Sequence, residues 1–260
     1  MTGQDNSRAA LGPARPRHLR RAPITEALID FRVQAAEGVS LRKLEEAARR
    51  VEREYPARAA VKTVHAKLEL GRGVVTPDFE QSDLGVLVKS PDEKTQAQFR
   101  LNGFTLNRLD PYTSWEEIYP ETKRLWRLYA EVAQPVAVLR LAARYINRLK
   151  LPLPVADLRD YLIEPARVPE RLPQTVLAFL TRLVIHDSSL QQSVIVTQSS
   201  EPNPVDPEHA TVLLDIDAFK EVNLKPMQQD EIDRVLGDLH EFKNNIFFGS
   251  ITQRASELFE

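Results

Sequence analysis

Three arginines recur at every fourth residue between Val136 and Leu151: Arg140, Arg144 and Arg148. If this stretch is a strand, side chains alternate between its faces and the chain rises about 3.3 Å per residue, so the three guanidinium groups share one face along roughly 25 Å. Leu139, Leu141, Ala143, Tyr145 and Leu149 take the other face. Guanidinium groups grip phosphate and carboxylate with paired donors, so this row, joined by Arg32 and Arg100 from neighbouring polar strand faces, is a candidate site for an anion or a partner. A competing outcome is equally written in the chain. If Asp30, Asp215 and Asp217 lie across from the arginines, the charges neutralise one another and the face is structural. Asp215-x-Asp217 also sets two carboxylates on one strand face, where they could share a divalent cation or a proton. The simpler reading buries Leu214 and Ile216 and turns both acids to water or to the arginines.

Other catalytic signatures are missing. His18, His65, His186, His209 and His240 show neither H-x-x-x-H nor H-E-x-x-H spacing, and His186-Asp187 is a bare dipeptide. The chain has no G-x-S-x-G, no Walker phosphate loop and no G-x-G-x-x-G, and Gly71-Arg72-Gly73 is too short to cradle a phosphate. With no cysteine there is no thiolate nucleophile, no disulfide and no Cys-ligated zinc, which suits a reducing compartment. Read this way, the chain has no assigned catalytic residue, metal ligand or cofactor, and the balance is against an enzyme.

The 260 residues are 42% hydrophobic, enough to bury a core unaided. Thirty-five Lys and Arg against thirty-seven Asp and Glu give a net charge of -2, so any cationic function must be local. No apolar run approaches the roughly 18 residues of a membrane span, and the N-terminus lacks an apolar leader; the expectation is a soluble, cytoplasmic protein. Residues 1–21 carry Arg8, Arg15, Arg17, Arg20 and Arg21 against Asp5, with Pro13 and Pro16. This basic arm is expected to be disordered to about Leu19.

The elements that must position the arginines follow from periodicity. Ala27–Val33 alternates as a half-buried strand, and Ser40 opens a helix carried by Leu41, Leu44, Ala48, Val51 and Tyr55, closed by Pro56. Strands are expected near Ala60–Leu70, Leu84–Lys89 and Gln96–Leu109, separated by Gly71-Arg72-Gly73 with Pro77-Asp78, and by Ser90-Pro91-Asp92, with a bulge at Gly103 in the longest. Gln96, Gln98, Arg100 and Asn102 would join the polar sheet face. Ser114-Trp115-Glu116-Glu117 has capping-box form, opening a helix to Val132 whose aromatic residues read as core and which Pro120 should kink or shorten. After the arginine strand, residues 152–173 form a proline-rich connector with a short turn near Asp157–Leu162, and Val176–Leu183 reads as a helix or short buried segment. Strands at Ser193–Ser199 and Ala210–Phe219 flank Glu201-Pro202-Asn203-Pro204. Asp230 then caps a helix with Ile232, Val235, Leu236, Leu239, Phe242 and Ile246 buried, interrupted near Gly249.

This order reads twice as strand, helical segment, further strands and long helix. It implies an α+β fold: one domain over residues 22–260 made of two similar halves (22–133 and 134–260), with a curved antiparallel sheet carrying long helices on one face. In element order it is similar to the TATA-binding-protein-like and helix-grip folds. At residue level, Ala22-Pro23-Ile24-Thr25-Glu26-Ala27-Leu28-Ile29-Asp30, Arg144-Tyr145-Ile146-Asn147-Arg148 and His240-x-x-Lys243 followed by Phe247 and Ile251-Thr252 resemble a sporadically distributed, uncharacterised bacterial protein family of about 250 residues. The resemblance spans nearly all of the chain after residue 20. It implies a single folded unit and, from the patchy distribution, a bacterial conflict or defence setting; it supplies no activity, cofactor or catalytic residue.

The function expected from these residues is a non-catalytic binding or interaction module that holds a protein or peptide partner on the polar face or the edge of its sheet, without a membrane. Two alternatives are nucleic-acid binding along the arginine row and a metal-dependent hydrolase using Asp215, Asp217 and His186.

Overall fold

The computed structural model describes residues 12–71, 74–201 and 206–260, without the side chains of 64–71 and 74–80. Gly71-Arg72-Gly73 as a whole, the first part of the basic arm, the His65 side chain and the Pro202-Asn203-Pro204 loop therefore lie outside the described residues. The chain forms β1 (Ile24–Gln34), α1 (Leu41–Arg50), β2 (Ala57–Gly71), β3 (Val74–Lys89), β4 (Thr95–Arg100), β5 (Gly103–Leu109), α2 (Trp115–Ala133), β6 (Ala137–Pro152), β7 (Leu180–Asp187), β8 (Gln192–Glu201), β9 (His209–Leu224), α3 (Gln229–Ser250) and α4 (Gln253–Glu257). The nine strands make one open antiparallel sheet in the order β2-β3-β4-β5-β1-β6-β9-β8-β7. The fold class is thus α+β with a large antiparallel sheet. No described helix is long and apolar enough to cross a membrane.

Compactness divides the chain differently from the two sequence halves. One unit takes residues 28–141 and 221–232, the other residues 1–27, 142–220 and 233–260. The division falls within β1, β6, β9 and α3.

In the first unit, alternation buries Ile29, Phe31 and Val33 of β1, Ala97 and Phe99 of β4, and Phe104 and Leu106 of β5. Their partners come from α1, through Leu44, Ala47 and Ala48, and from α2, through Ile118, Leu125, Trp126 and Tyr129. Trp126 stacks on Phe31 with ring centroids 4.3 Å apart, so the α2 aromatics are core, as their spacing implies. The long strand expected over Gln96–Leu109 is a hairpin. Arg100 pairs with Gly103 across a Leu101-Asn102 turn, which also takes Asn102 out of the strand. Gly103 sits against β1, where a Cβ would come within 2.1 Å of the Phe31 carbonyl oxygen. Pro77-Asp78 does not interrupt β3, because residues 74–83 pair only with β2 and the edge away from it tolerates the missing amide. The Ser90-Pro91-Asp92 turn joins β3 to β4, with Glu93 N–H donating to Ser90 O at 2.8 Å. Ser114 precedes α2 without a side-chain cap; the neighbouring Thr113 hydroxyl donates to Glu117 instead, and α2 runs through Pro120 from Trp115.

In the second unit, β6, β8 and β9 bury Ala143, Tyr145, Leu149, Val194, Val196, Val212, Leu214 and Ile216. The stripe of α3 runs through Val235, Leu236, Leu239, Lys243 and Phe247, with Phe242 and Ile246 only half-buried. It ends at Ser250, and Thr252 caps α4 by accepting from Ala255 N–H. Residues 12–21 of the basic arm are held, contrary to the expected disorder. Ala14 N–H donates to Ile251 O at 2.9 Å, Arg21 N–H to Phe259 O at 3.0 Å, Arg17 pairs with Glu260, and Ala14 and Leu19 are buried. Two small apolar anchors and a carboxylate at the far end of the chain offset the ordering cost that composition alone leaves open. The proline-rich connector contains one 3-10 turn, Leu158–Asp160, started by Asp157 accepting from Arg159 N–H.

Candidate functional site

The arginine row can be built strand by strand. In the first unit, Asp30 of β1 gathers three positive groups: Arg100 Nη2 at 2.6 Å, Arg140 Nη1 at 3.6 Å and, more loosely, Arg32 Nε at 3.9 Å. The Thr105 hydroxyl donates to the same carboxylate at 2.7 Å. Arg100, Arg140 and Asp30 are largely buried, whereas Arg32 is mostly exposed. In the second unit, Arg144 of β6 forks onto Asp215 of β9, with Nε to Oδ1 at 2.9 Å and Nη2 to Oδ2 at 2.6 Å. That hydrogen bonding, with further attraction from Asp215, Asp217 and Glu26, pushes the Arg144 pKa above its ordinary value. Arg148 forks onto Glu201 of β8 at 2.7 and 2.8 Å. Each of the five candidate arginines therefore has a carboxylate partner. The geometry pairs Arg144 and Arg148 each with a carboxylate of its own, while Arg32, Arg100 and Arg140 converge on the one carboxylate of Asp30.

The acidic pair fares similarly. Asp215 is occupied by Arg144, and the register Asp217↔Ile195 and Ser193↔His186 leaves His186 two strands away, about 10 Å laterally. His186 Nδ1 instead lies 3.0 Å from Ser193 Oγ, and Asp187 Oδ1 accepts from Ser189 and Leu190 in the turn that follows. Among the described residues no group of three or more His, Asp or Glu side chains is arranged to hold a metal ion. A cleft of about 860 Å³ opens beside the proline-rich connector. Most charges that reach it are paired, Arg159 with Asp157, Arg167 with Glu164, Glu201 with Arg148 and His209 with Asp206, whereas Glu170 makes no ion pair among the described residues.

Two features stand out instead. The first is buried. Lys243 of α3 is 5% exposed, and its Nζ sits 3.5 Å from the centroid of the Tyr145 ring on β6. The ammonium donates to Asn244 Oδ1 at 2.7 Å, and Asn244 Nδ2 donates to His240 Nε2 at 3.3 Å. Asn147, two residues along β6 from Tyr145, is buried and donates to Leu214 O at 3.0 Å. Lys243 makes no ion pair among the described residues, and burial lowers its pKa to about 7. The R-Y-I-N-R and H-x-x-K segments thus meet through Tyr145, whose ring faces Lys243 Nζ and lies with its centroid 6.2 Å from that of His240. The signal of this meeting in the sequence is a lysine standing in the apolar stripe at Leu236, Leu239, Lys243 and Phe247.

The second is exposed. Val176–Leu183 is not a helix or buried segment: β7 begins at Leu180, and the strand shows apolar side chains on both faces. Leu180 is 71% exposed, Leu183 60%, Val184 67% and Ile185 43%. Segment 172–190 carries eight (Leu172, Val176, Leu177, Leu180, Leu183, Val184, Ile185, Leu190) of the twelve large hydrophobic side chains that are exposed among the described residues. β7 also ends the sheet, with β8 on one side only. Ser200 N–H donates to Phe179 O at 3.1 Å, and pairing proceeds without a register shift to Asp187↔Gln192. Alternation then turns the odd-numbered residues of β7 towards β8, and the N–H and C=O groups of Leu180, Arg182, Val184 and His186 towards the open edge. No family model and no curated protein matches the chain, so its reading rests on these geometries.

Proposed function

We propose that this protein is a non-catalytic interaction module whose docking element is the open edge of β7, which adds an extended strand of a protein partner to the sheet. The observation that carries this is the concentration of exposed apolar side chains on that strand and its approach. A long, apolar, unpaired edge is an aggregation hazard in a folded protein unless something covers it. The ion pairs that engage the arginines favour the edge over the polar face and weaken the nucleic-acid alternative, while the occupied Asp215 weakens the hydrolase alternative.

The finer readings belong to the same proposal. The order of the sheet, in which β2 to β5 lie beyond β1 on one side and β9, β8 and β7 beyond β6 on the other, favours a duplicated unit of TATA-binding-protein-like or helix-grip-like order. The meeting of Tyr145 with His240 and Lys243 favours membership of the sporadically distributed bacterial family, with a cytoplasmic conflict or defence setting as its context.

Affinity capture from the native host with the wild type, Val184→Pro and Arg148→Ala tests the reading. Val184 turns its N–H outward, so proline there blocks an added strand without removing a bond to β8. Partners retained by Arg148→Ala and lost by Val184→Pro, with slowed hydrogen exchange at Val184 in the complex, are expected. Identical partners for all three proteins exclude the edge.

A further inference from the structure

We infer that the strand received by β7 is β7 of a second copy, paired antiparallel about a two-fold axis through Val184. The inference rests on the docking reading above and adds the identity of the partner. A two-fold contact needs a patch that is complementary to itself. In an antiparallel pair, opposed residues share a face, so a two-fold axis normal to the sheet must place one residue opposite its own copy.

Three centres are available along the apolar run, and the side chains choose among them. Centring on Leu183 sets Arg182 opposite Val184 and Thr181 opposite Ile185. Centring on Ile185 sets Leu183 opposite Asp187 and Val184 opposite His186. Centring on Val184 sets Leu183 opposite Ile185 twice, with Arg182 opposite His186 and Thr181 opposite Asp187 at the polar ends. Only the last matches apolar with apolar and polar with polar over residues 181–187. It also uses the outward backbone groups. Val184 N–H and C=O meet their own copies in a reciprocal hydrogen-bonded pair, as do Arg182 and His186. Because Val184 projects from one face of β7 and Leu183 and Ile185 from the other, a second β7 sets apolar neighbours beside these side chains on both faces at once. Heterologous strands could bury the same groups, but nothing in the strand selects one, whereas its own pattern selects itself. Arg182, which makes no ion pair among the described residues, lies beside the imidazole of the other copy.

Sedimentation equilibrium of the purified full-length protein provides the test, with Val184→Pro, Val184→Cys and Met227→Cys alongside. The wild type is expected at twice the chain mass, and Val184→Pro at the chain mass with an unchanged circular dichroism spectrum. The chain has no cysteine, so each Cys variant carries a single thiol. Self-opposed residues in a hydrogen-bonded pair have Cα atoms about 5.5 Å apart, within disulfide reach. Mild oxidation should link Val184→Cys into a dimer and leave Met227→Cys, more exposed but in the other unit, unlinked. A wild type of single mass overturns the inference, as does a dimer that survives Val184→Pro or a Val184→Cys no more readily linked than Met227→Cys. Should Val184→Pro fold poorly, the two Cys variants decide alone. A monomeric wild type whose host partner is lost with Val184→Pro sinks only the self-pairing; a monomer with partners unaffected sinks the docking reading as well.

Discussion

In both units the long helix lays one side chain on an aromatic ring of a central strand, and the two choices are opposite in character. In the unit of residues 28–141 and 221–232, Trp126 stacks on Phe31 within a cluster that includes Phe104 and Tyr129. In the other, the Tyr145 ring is faced by the Lys243 ammonium, hydrogen-bonded among the described residues only to Asn244. An aromatic stack gains from leaving water; a desolvated ammonium loses unless a counter-charge follows it inside. One core is built for stability, and the other accepts a cost that apolar packing elsewhere must offset. The same unit leaves the apolar edge β7 uncovered.

The sharpest way to break the contrast is Trp126→Ala, which removes the centre of the aromatic cluster and is expected to lower unfolding free energy by about 4 kcal/mol in urea titration. Asp30→Ala comes next. It strands the largely buried Arg100 and Arg140 without their carboxylate, for a loss of about 3 kcal/mol. Lys243→Met has the opposite sign: the same titration at neutral pH is expected to show a gain of about 2 kcal/mol, because an apolar chain of similar length fills the space without desolvating a charge. pH sharpens this case. With the Lys243 pKa lowered to about 7 from the 10.5 of an exposed lysine, the unfolded chain binds the extra proton between those values, so wild-type stability rises with pH across that window. Below about pH 7 the lysine is charged in both states and the penalty is complete. The advantage of Lys243→Met should therefore be greatest at neutral or lower pH and shrink towards pH 10.5; an advantage independent of pH would show that burial leaves the lysine titrating as it does in the unfolded chain. Smallest is Arg148→Ala, where a partly exposed fork to Glu201 is worth less than about 1 kcal/mol.

Local pattern carried much of the architecture. Alternation marked β1, β6, β8 and β9 within a few residues of their ends, and three- and four-residue apolar spacing marked α1, α2 and α3. Errors arose where a single residue serves two readings. Gly103 reads as a bulge in the sequence because a two-residue turn at Leu101-Asn102 preserves strand alternation on both sides. The segment around Leu177, Leu180 and Val184 has helical spacing, yet it belongs to a strand exposed on both faces, where no burial periodicity exists to be read. Leu183-Val184-Ile185, rich in β-branched residues, was the better signal.

For the site, sequence determined which residues share a strand face: the alternation that aligns Arg140, Arg144 and Arg148 is a property of the backbone and needs no partner. Tertiary structure alone decided what faces them. Asp215 lies 71 residues from Arg144 and Glu201 lies 53 from Arg148, distances across which only strand order and register bring charges together. The same holds for the open edge of β7 and for Lys243 over Tyr145, since burial and exposure are properties of the assembled sheet and its helices, whereas periodicity belongs to a segment by itself.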